Sequence, residues 1–217
     1  HERIEKLIIH LAGTGIAIRE MVKLIANLND QVLIRLIDLL RAEKYPDLTD
    51  DFAFVVMGSE GRGEQTLSTD QDNAIIFELP EGMMADEVRE RLLPFARRIN
   101  DDLALCGFAL CEGNIMASNR ELCLSVQEWH DWYRHFATAW TPQNLLESAI
   151  FLDARAVHGD IGIAASLLAI VHDIIGNHTL FLRMMAEMSL ERKPPLNFFQ
   201  GFVYAKRGER HTIDLKK

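Results

Sequence analysis

One stretch, residues 52–78, constrains the fold of this 217-residue chain more than any other. It consists of FAFVVMGSEGRGEQTLSTDQDNAIIFE. The first apolar run, residues 52–57, is rich in aromatic and β-branched residues and stops at Gly58, which is typical of a buried strand followed by a tight turn. The second run, residues 74–77, is apolar at every position, which favours a strand covered on both faces. The stretch therefore predicts two neighbouring strands joined by a polar, Gly-rich segment.

Two carboxylates, Asp70 and Asp72, stand just before the second run. On an extended chain the side chains of residues i and i+2 point the same way, so this pair shares one face. Two carboxylates on one face repel each other unless a cation lies between them. The pattern indicates a site for a hard cation such as Mg²⁺ or Mn²⁺. A solvated turn that caps the strand is the alternative, since Asp, Asn, Ser and Thr all favour turns.

The Gly-rich segment between the two runs has residues suited to phosphate. Gly58 lacks a Cβ, so backbone N–H groups can approach an anion closely, and Ser59 adds a hydroxyl donor. Arg62 supplies a planar cationic fork that matches phosphate oxygens. The glycines do not follow Rossmann spacing and no Lys follows them, so neither GxGxxG nor a P-loop is present. A phosphate cradle beside a carboxylate pair is what metal-assisted phosphoryl or nucleotidyl transfer needs.

Gly58-Ser59 followed by Asp70-x-Asp72 at the head of a strand resembles the signature of the DNA polymerase β-type nucleotidyltransferase superfamily. The longer string GSEGRGEQTLSTDQDNAIIF is more similar to nucleotidyltransferase domains of the DUF294 type, relatives of PII-protein uridylyltransferase found beside CBS or cyclic-nucleotide-binding modules. The segments FLDARAVHGD, PPLNFFQGF and HTIDLKK resemble the helical C-terminal part of the same family, so the resemblance covers most of the chain. It implies an α+β fold, in which a mixed sheet with flanking helices lies between N-terminal helices and a C-terminal helical bundle.

The resemblance implies transfer of a nucleoside monophosphate from a nucleoside triphosphate to a hydroxyl of a protein or small molecule, in the manner of uridylyltransferases and in signal transduction. Asp70 and Asp72 would hold Mg²⁺ or Mn²⁺. The residues that would bind the nucleotide are Gly58, Ser59, Arg62 and Gln65. Regulatory CBS or cyclic-nucleotide-binding domains would be attached in the full-length protein.

A third carboxylate usually completes the metal pair in this superfamily, and the sequence offers two candidates. Glu112 is preferred as a catalytic residue, because residues 108–111 predict a short strand beside Asp70 and Asp72 that would end at Glu112. Asp153 is the alternative, although it lies in a predicted helix that would have to fold back over the sheet. If they have no catalytic role, Glu112 is a charged residue of a loop and Asp153 forms a salt bridge with Arg155 within a helix.

Two other functions compete with the enzyme. A catalytically inactive nucleotide sensor would keep the phosphate cradle and relay a signal through the N-terminal helices, and the uncertain third carboxylate keeps this alternative open. A purely structural helical scaffold fits the rest of the chain but leaves the stretch from Gly58 to Asp72 unexplained.

Composition limits the kinds of partner and cellular compartment that the sequence predicts. A chain that is 48% hydrophobic can bury one large core or two small ones. The net charge of −9 argues against a protein that grips nucleic-acid backbone, since that affinity comes from Lys and Arg. No apolar run is long enough to span a bilayer. The three cysteines lack CxxC spacing, which predicts buried thiols in a reducing compartment, and we expect an excised part of a longer cytoplasmic protein.

The chain divides into three predicted parts: residues 1–46 as N-terminal helices, 47–140 as the nucleotidyltransferase-like core, and 141–217 as a helical bundle with a terminal β-hairpin. The N-terminal part is either a connector to an upstream regulatory module or a packing helix pair, and the latter is preferred. Helices are predicted at 142–157, 161–176 and 179–192.

Within the core, two further helices are predicted. Helical spacing over residues 88–103 predicts a helix that kinks or breaks at Pro94. Residues 125–139 predict an amphipathic helix whose aromatic stripe could stack a base, although core packing is the more common use of such spacing.

Overall fold

The computed structural model describes residues 2–49, 51–66, 69–138, 141, 148–191, 205–207 and 210–212. Its helices are α1 (Glu2–Ala12), α2 (Ile18–Lys44), α3 (Gly58–Gly61), α4 (Ala85–Leu105), α5 (Val126–Thr138), α6 (Ile161–Gly176) and α7 (Thr179–Glu191). Its strands are β1 (Phe52–Val56), β2 (Asn73–Phe77), β3 (Cys123–Ser125), β4 (Arg155–Gly159), β5 (Ala205–Arg207) and β6 (Arg210–Thr212).

A four-stranded sheet in the order β3-β2-β1-β4 forms the centre of the fold. Strand β1 runs antiparallel to both β2 and β4, whereas β2 and β3 are parallel. The sheet is therefore mixed and flanked by helices, which confirms the predicted α+β fold class. Strands β5 and β6 pair antiparallel in the region of the predicted terminal hairpin.

Both faces of the sheet are covered, as the uninterrupted apolar run in β2 predicts. One face packs against α2 and α4, whose buried residues include Leu33, Ile37, Phe95 and Ile99. The other packs against α5 and α6 through residues that include Trp129, Tyr133, Leu167 and Val171. Alternate residues of β1 enter the two cores, as the period of two along a strand requires.

The N-terminal helices agree with the sequence pattern. Helix α1 ends at Ala12, just before Gly13 and Gly15. Helix α2 ends at Lys44, just before Tyr45-Pro46. The buried stripe of α2 packs on the sheet. A connector role for this segment stays a prediction.

Helix α4 continues through Pro94, so of the two predicted alternatives the break is wrong, and the kink stays a prediction. Pro94 lies on the exposed side of the helix, where water can solvate the carbonyl left without a partner, and Leu92, Phe95 and Ala96 anchor both sides of it in the core.

The prediction of a helix over 142–157 is wrong at its C-terminal end. Residues 148–151 are helical, but 155–159 form β4 at the edge of the sheet, with a register irregularity opposite Phe54 and Val55. Residues 142–147 lie outside the described part. Helices α6 and α7 confirm the next two predictions, and the domain boundaries at 46 and 140 stay predictions.

In the described part, no single helix has the length and apolar character needed to cross a membrane, although α6 and residues 179–187, bent by 88° relative to each other, meet those criteria as a pair.

Candidate functional site

The C-terminal end of β1 and the N-terminal ends of β2 and β4 lie side by side, because β1 is antiparallel to both of its neighbours. We call this line of strand ends the sheet edge. The last residue of β1, Val56, pairs with Asn73 at the start of β2 and with Arg155 at the start of β4. The segment after β1 therefore lies beside the segments that precede β2 and β4. This register brings Gly58 together with Asp72 and brings Gly61 together with Asp153.

Gly58 is required by both its conformation and its surroundings. Its φ is +58°, in the left-handed region that side chains disfavour, and a Cβ there would lie 3.1 Å from Asp72 Oδ2. The neighbouring Met57 N–H donates to the Asp72 carbonyl at 2.9 Å. The Asp72 carboxylate is therefore held against the backbone of the predicted phosphate cradle.

Asp70 and Asp72 come together with a thiol from a following loop. One potential ligand atom from each of Asp70, Asp72 and Cys111 lies within 4.8 Å of the others. The loop is brought there by a single bridge between Asp70 and Ala109 and by the Gln71 N–H, which donates to the Ala109 carbonyl at 2.9 Å. Residues 108–111 thus lie beside Asp70 as predicted, but they form one bridge and not a strand.

The donor set suits a hard divalent cation through its carboxylates. Carboxylate oxygens are the ligands that Mg²⁺ and Mn²⁺ prefer, whereas a thiolate selects softer metals. Burial raises the pKa of the Cys111 thiol, and the hydrogen bond and charge of Asp72 raise it further. The Cys111 thiol therefore stays protonated near neutral pH, so it adds no negative charge to that of the two carboxylates.

The guanidinium of Arg62 already has hydrogen-bond partners within the protein. Its guanidinium donates to Asp153 Oδ2 at 2.6 Å, to Glu64 Oε2 at 2.8 Å and to the Ala149 carbonyl at 3.0 Å. The side chain is nonetheless 37% exposed. The salt bridge expected between Asp153 and Arg155 is therefore replaced by one between Asp153 and Arg62, and Asp153 lies in the bend before β4 instead of in a helix.

Gln65, predicted to bind the nucleotide, is buried behind α3. Its Oε1 atom accepts a hydrogen bond of 3.0 Å from Asn29 of α2. The carboxyl of Glu60 is buried next to it, and this burial, with the nearby charge of Asp30, raises the pKa of Glu60 to about 8. This polar layer joins α3 to α2, and a direct contact of Gln65 with nucleotide stays a prediction.

Arg155 ties α3 to the rest of the fold. Its guanidinium donates to the carbonyls of Glu60 and Gly61 at the end of α3 and to Asp30 Oδ1 at 2.8 Å. The Glu60 carbonyl also accepts from the Gly63 N–H at 3.1 Å, so Arg155 adds to the backbone bonds that close this short helix. Strand β4 and helix α2 thus fix the position of α3 behind the carboxylate pair.

The other predicted residues lie around this centre. Ser59 is half-buried in α3, next to Gly58. Glu112 is exposed in the turn that follows Cys111, and among the described residues it is not a member of the group formed by Asp70, Asp72 and Cys111. The role of Glu112 as a third carboxylate stays a prediction.

The aromatic stripe of α5 is mostly core, as the more common use of such spacing suggests. Trp129 and Tyr133 are buried and donate to the carbonyls of Ile75 and Phe151, at 2.9 and 2.7 Å. Phe136 is buried as well, whereas Trp132 is only partly covered. Trp132 is therefore the member of the stripe that can meet a ligand.

The cysteines depart in part from the prediction of buried thiols. All three are free; Cys123 is buried, Cys111 is half-buried and Cys106 is exposed. Cys106 follows the last turn of α4, where the helix leaves the core.

Comparison with protein families gives two matches. Residues 2–143 match the model described as "Putative nucleotidyltransferase DUF294". The chain belongs to the DUF294 family. Residues 179–217 match the model described as "Putative nucleotidyltransferase substrate binding domain", the C-terminal part of DUF294 proteins. None of the curated proteins compared with the chain matches it. Both the sheet edge with Asp70 and Asp72 and the N-terminal helices lie within the DUF294 match.

Sequence reasoning missed Cys111, Glu60 and Arg155 as parts of this DUF294 site. Cys111 and Arg155 reach the site through loop and strand contacts that no local spacing signals. The burial of Glu60 could have been predicted. Its carboxyl comes directly after Gly58-Ser59, in a segment that packs against a strand, and a side chain at such a position is often buried.

Proposed function

We propose that this chain is a metal-dependent nucleotidyltransferase that moves a nucleoside monophosphate from a nucleoside triphosphate to the hydroxyl of a protein or small molecule, in signal transduction. One observation supports this most strongly: the carboxylates of Asp70 and Asp72 converge, and that of Asp72 lies directly against Gly58. Family membership supports nucleotidyl transfer as the general activity.

In this proposal Asp70 and Asp72 hold the divalent cation, Mg²⁺ or Mn²⁺, through their oxygens. When bound, such an ion offsets the negative charge of the triphosphate and makes the attacking hydroxyl easier to deprotonate. The Cys111 thiol donates to Asp72 and so orients this carboxylate.

The segment from Gly58 to Arg62 binds the phosphates. The missing Cβ of Gly58 leaves room for phosphate oxygens beside the carboxylates, and the hydroxyl of Ser59 donates to them. Arg62 offers its exposed fork once an incoming phosphate replaces part of its contacts with Glu64 and Asp153. Gln65 orients the segment from behind through Asn29.

The attacking hydroxyl must lose its proton to a base. We assign this role to Glu112, because Asp153 is held by Arg62 whereas Glu112 is exposed in the turn next to Cys111. The C-terminal region from residue 179 onwards binds the acceptor, in agreement with the substrate-binding description of its family match. Regulatory CBS or cyclic-nucleotide-binding domains attached to α1 complete the proposal.

A nucleotide sensor without catalysis is the second candidate. The observation that favours it is the identity of the third group in the cluster, which is a protonated thiol and not a carboxylate. Such a protein would bind nucleotide in the same cradle and transfer nothing.

A turnover screen with labelled ATP, CTP, GTP and UTP, in Mg²⁺ or Mn²⁺, tests the proposal. Labelled product, or pyrophosphate released in the presence of an acceptor, identifies the enzyme, and Asp70→Asn should abolish it. Nucleotide binding that depends on Asp70 but yields no product in any combination identifies the sensor. The absence of both binding and turnover would overturn the shared site.

A further inference from the structure

A second recess opens beside the carboxylate pair. It has a volume of about 200 Å³, and its walls include Asn114, Asn119, Glu121, Trp132 and Phe151. We call it the Trp132 groove. Ligand pockets combine an aromatic or apolar wall with a few placed polar groups, and a groove of this size takes a fragment of a ligand and not a whole nucleotide.

The Trp132 groove adjoins the proposed transfer site through one turn of the chain. The Asn114 N–H donates to the Cys111 carbonyl at 3.0 Å, so Cys111 and the groove residues belong to the same tight turn. Cys111 contacts the carboxylate pair, and Gly113 in the groove wall is only two residues away, at most about 7.6 Å along the Cα trace. Phe151, which also lines the groove, follows Ile150, and Ile150 lies against Gly58. A molecule with its phosphates at Gly58 can therefore extend into the groove.

The aromatic wall is fixed before any ligand arrives. Trp132 stacks on Phe136 with ring centroids 4.8 Å apart and an interplanar angle of 16°. Phe151 contacts Trp132 at a centroid distance of 4.7 Å. A wall held by packing loses little conformational entropy when a ligand binds to it.

Three polar groups at the groove are available for recognition. Asn119 is not one of them, because its side chain accepts from the Glu121 N–H at 3.0 Å and donates to the Asn114 carbonyl at 3.1 Å. That bond holds Asn114 at a φ of 55°, a conformation that Asn tolerates better than most residues. Within the described ranges, the side-chain amide of Asn114, the carboxylate of Glu121 and the indole N–H of Trp132 make no hydrogen bond with the protein.

The charge of the groove excludes a triphosphate. Its described lining contains no Lys or Arg, and it includes the carboxylate of Glu121. A flat, uncharged ligand whose rim carries both donors and acceptors fits instead. The Glu121 carboxylate is an obligate acceptor, and carboxylates pair with exocyclic amino groups of bases. The Trp132 N–H and the Asn114 amide supply donors for neighbouring ring or carbonyl acceptors.

We propose that the Trp132 groove is the nucleobase subsite and that Glu121 selects bases that carry an exocyclic amine, such as cytosine and adenine, over uracil. This inference rests on the proposed function, since it assumes that a nucleoside triphosphate binds at Asp70 and Asp72.

Titration of the chain with CTP, ATP and UTP in Mg²⁺ tests the assignment. We expect CTP or ATP to bind about tenfold more tightly than UTP, as one charge-assisted hydrogen bond provides. Glu121→Gln should remove that difference, because an amide can both donate and accept. Trp132→Phe, which keeps an aromatic ring and loses the N–H, should weaken the binding of all three nucleotides by a similar factor. Glu81→Gln, at an exposed turn remote from the groove, is the matched control and should leave the ranking unchanged.

The possible failures are distinguishable. If no nucleotide binds to the wild-type chain, the proposed function and this inference both fail. If nucleotides bind in an Asp70-dependent way but Glu121→Gln leaves their ranking unchanged in a folded protein, the subsite assignment alone fails. If the two groove variants alter only the KM for an acceptor, the groove belongs to the acceptor and the nucleobase assignment is overturned.

Discussion

In the proposed site, some side chains at the sheet edge meet the ligand and others hold these in place. We assign Asp70, Asp72 and Gly58 to the surface that faces the ligand, and sequence alone predicts them because their spacing is local to one strand–turn–strand unit. Glu60 and Cys111 become part of the site only when distant segments pack together. No periodicity in the sequence carries that information.

The buried carboxyl of Glu60 makes stability depend on pH. Burial, followed by the charge of Asp30, raises its pKa from 4.5 to about 8. The folded state therefore binds a proton that the unfolded state has lost, so this contribution is complete below pH 4.5 and disappears as pH rises through 8. We expect Glu60→Gln to gain stability relative to wild type between pH 5 and pH 9, by on the order of a few kcal/mol.

Chemical denaturation across that pH range, in chelator, measures the effect. Glu78→Gln, at an exposed position, is the control and should follow the wild-type profile. Parallel pH profiles for wild type and Glu60→Gln would contradict the buried-acid assignment.

Arg62→Lys tests the cationic fork. Lysine keeps the charge but cannot form two parallel bonds to one phosphate, so we expect a loss of roughly 1–2 kcal/mol in triphosphate binding. Calorimetric titration with the preferred nucleotide in Mg²⁺ gives the number. If Arg62 serves only its ion pairs with Asp153 and Glu64, the two proteins will bind nucleotide equally well.

Among the elements, α3 is the one that the rest of the fold positions most closely. A Cβ on Gly61 would overlap the Asp153 carbonyl oxygen, so the chain before β4 passes directly against this turn. Gly61→Ala must push the two backbones apart, and we expect a loss of at least about 2 kcal/mol in the free energy of unfolding.

Gly176→Ala is the matched control for this substitution. Apart from the adjacent residues and the backbone of α6 itself, no described atom lies within 4 Å of a Cβ built at Gly176, which is the last residue of α6. We expect it to be neutral or stabilising by up to about 1 kcal/mol. Urea denaturation compares the two variants, and equal stabilities would show that α3 and β4 are not in close contact.

Elements differ in how well sequence predicts them. The long helices α2, α4 and α5 have apolar stripes of many turns, so their positions follow from helical periodicity. Strand β4 was missed because its five residues follow a helical segment and are only half-buried at the sheet edge. Strand β3 has three residues, too few for an alternating pattern. At Pro94 the helix does not break, because core contacts on both sides outweigh one lost hydrogen bond.

On the scale of the whole molecule, a mixed sheet lies between two helical layers, and the proposed site lies at one edge of it. The net charge of −9 disfavours phosphate binding over most of the surface, so binding depends on the local arrangement at that edge. The central claim is that Asp70 and Asp72 bind nucleotide through a divalent cation.

Calorimetric titration of wild type, Asp70→Asn, Asp72→Asn and Cys111→Ser with ATP, CTP and UTP tests this claim most directly, with Mg²⁺ and with chelator. We predict Mg²⁺-dependent binding in wild type and in Cys111→Ser, and its loss in both Asn variants. Thermal unfolding of the metal-free Asn variants should match wild type or exceed it, since removing one of two repelling charges relieves the apo protein. Unchanged nucleotide affinity in both Asn variants would contradict the account.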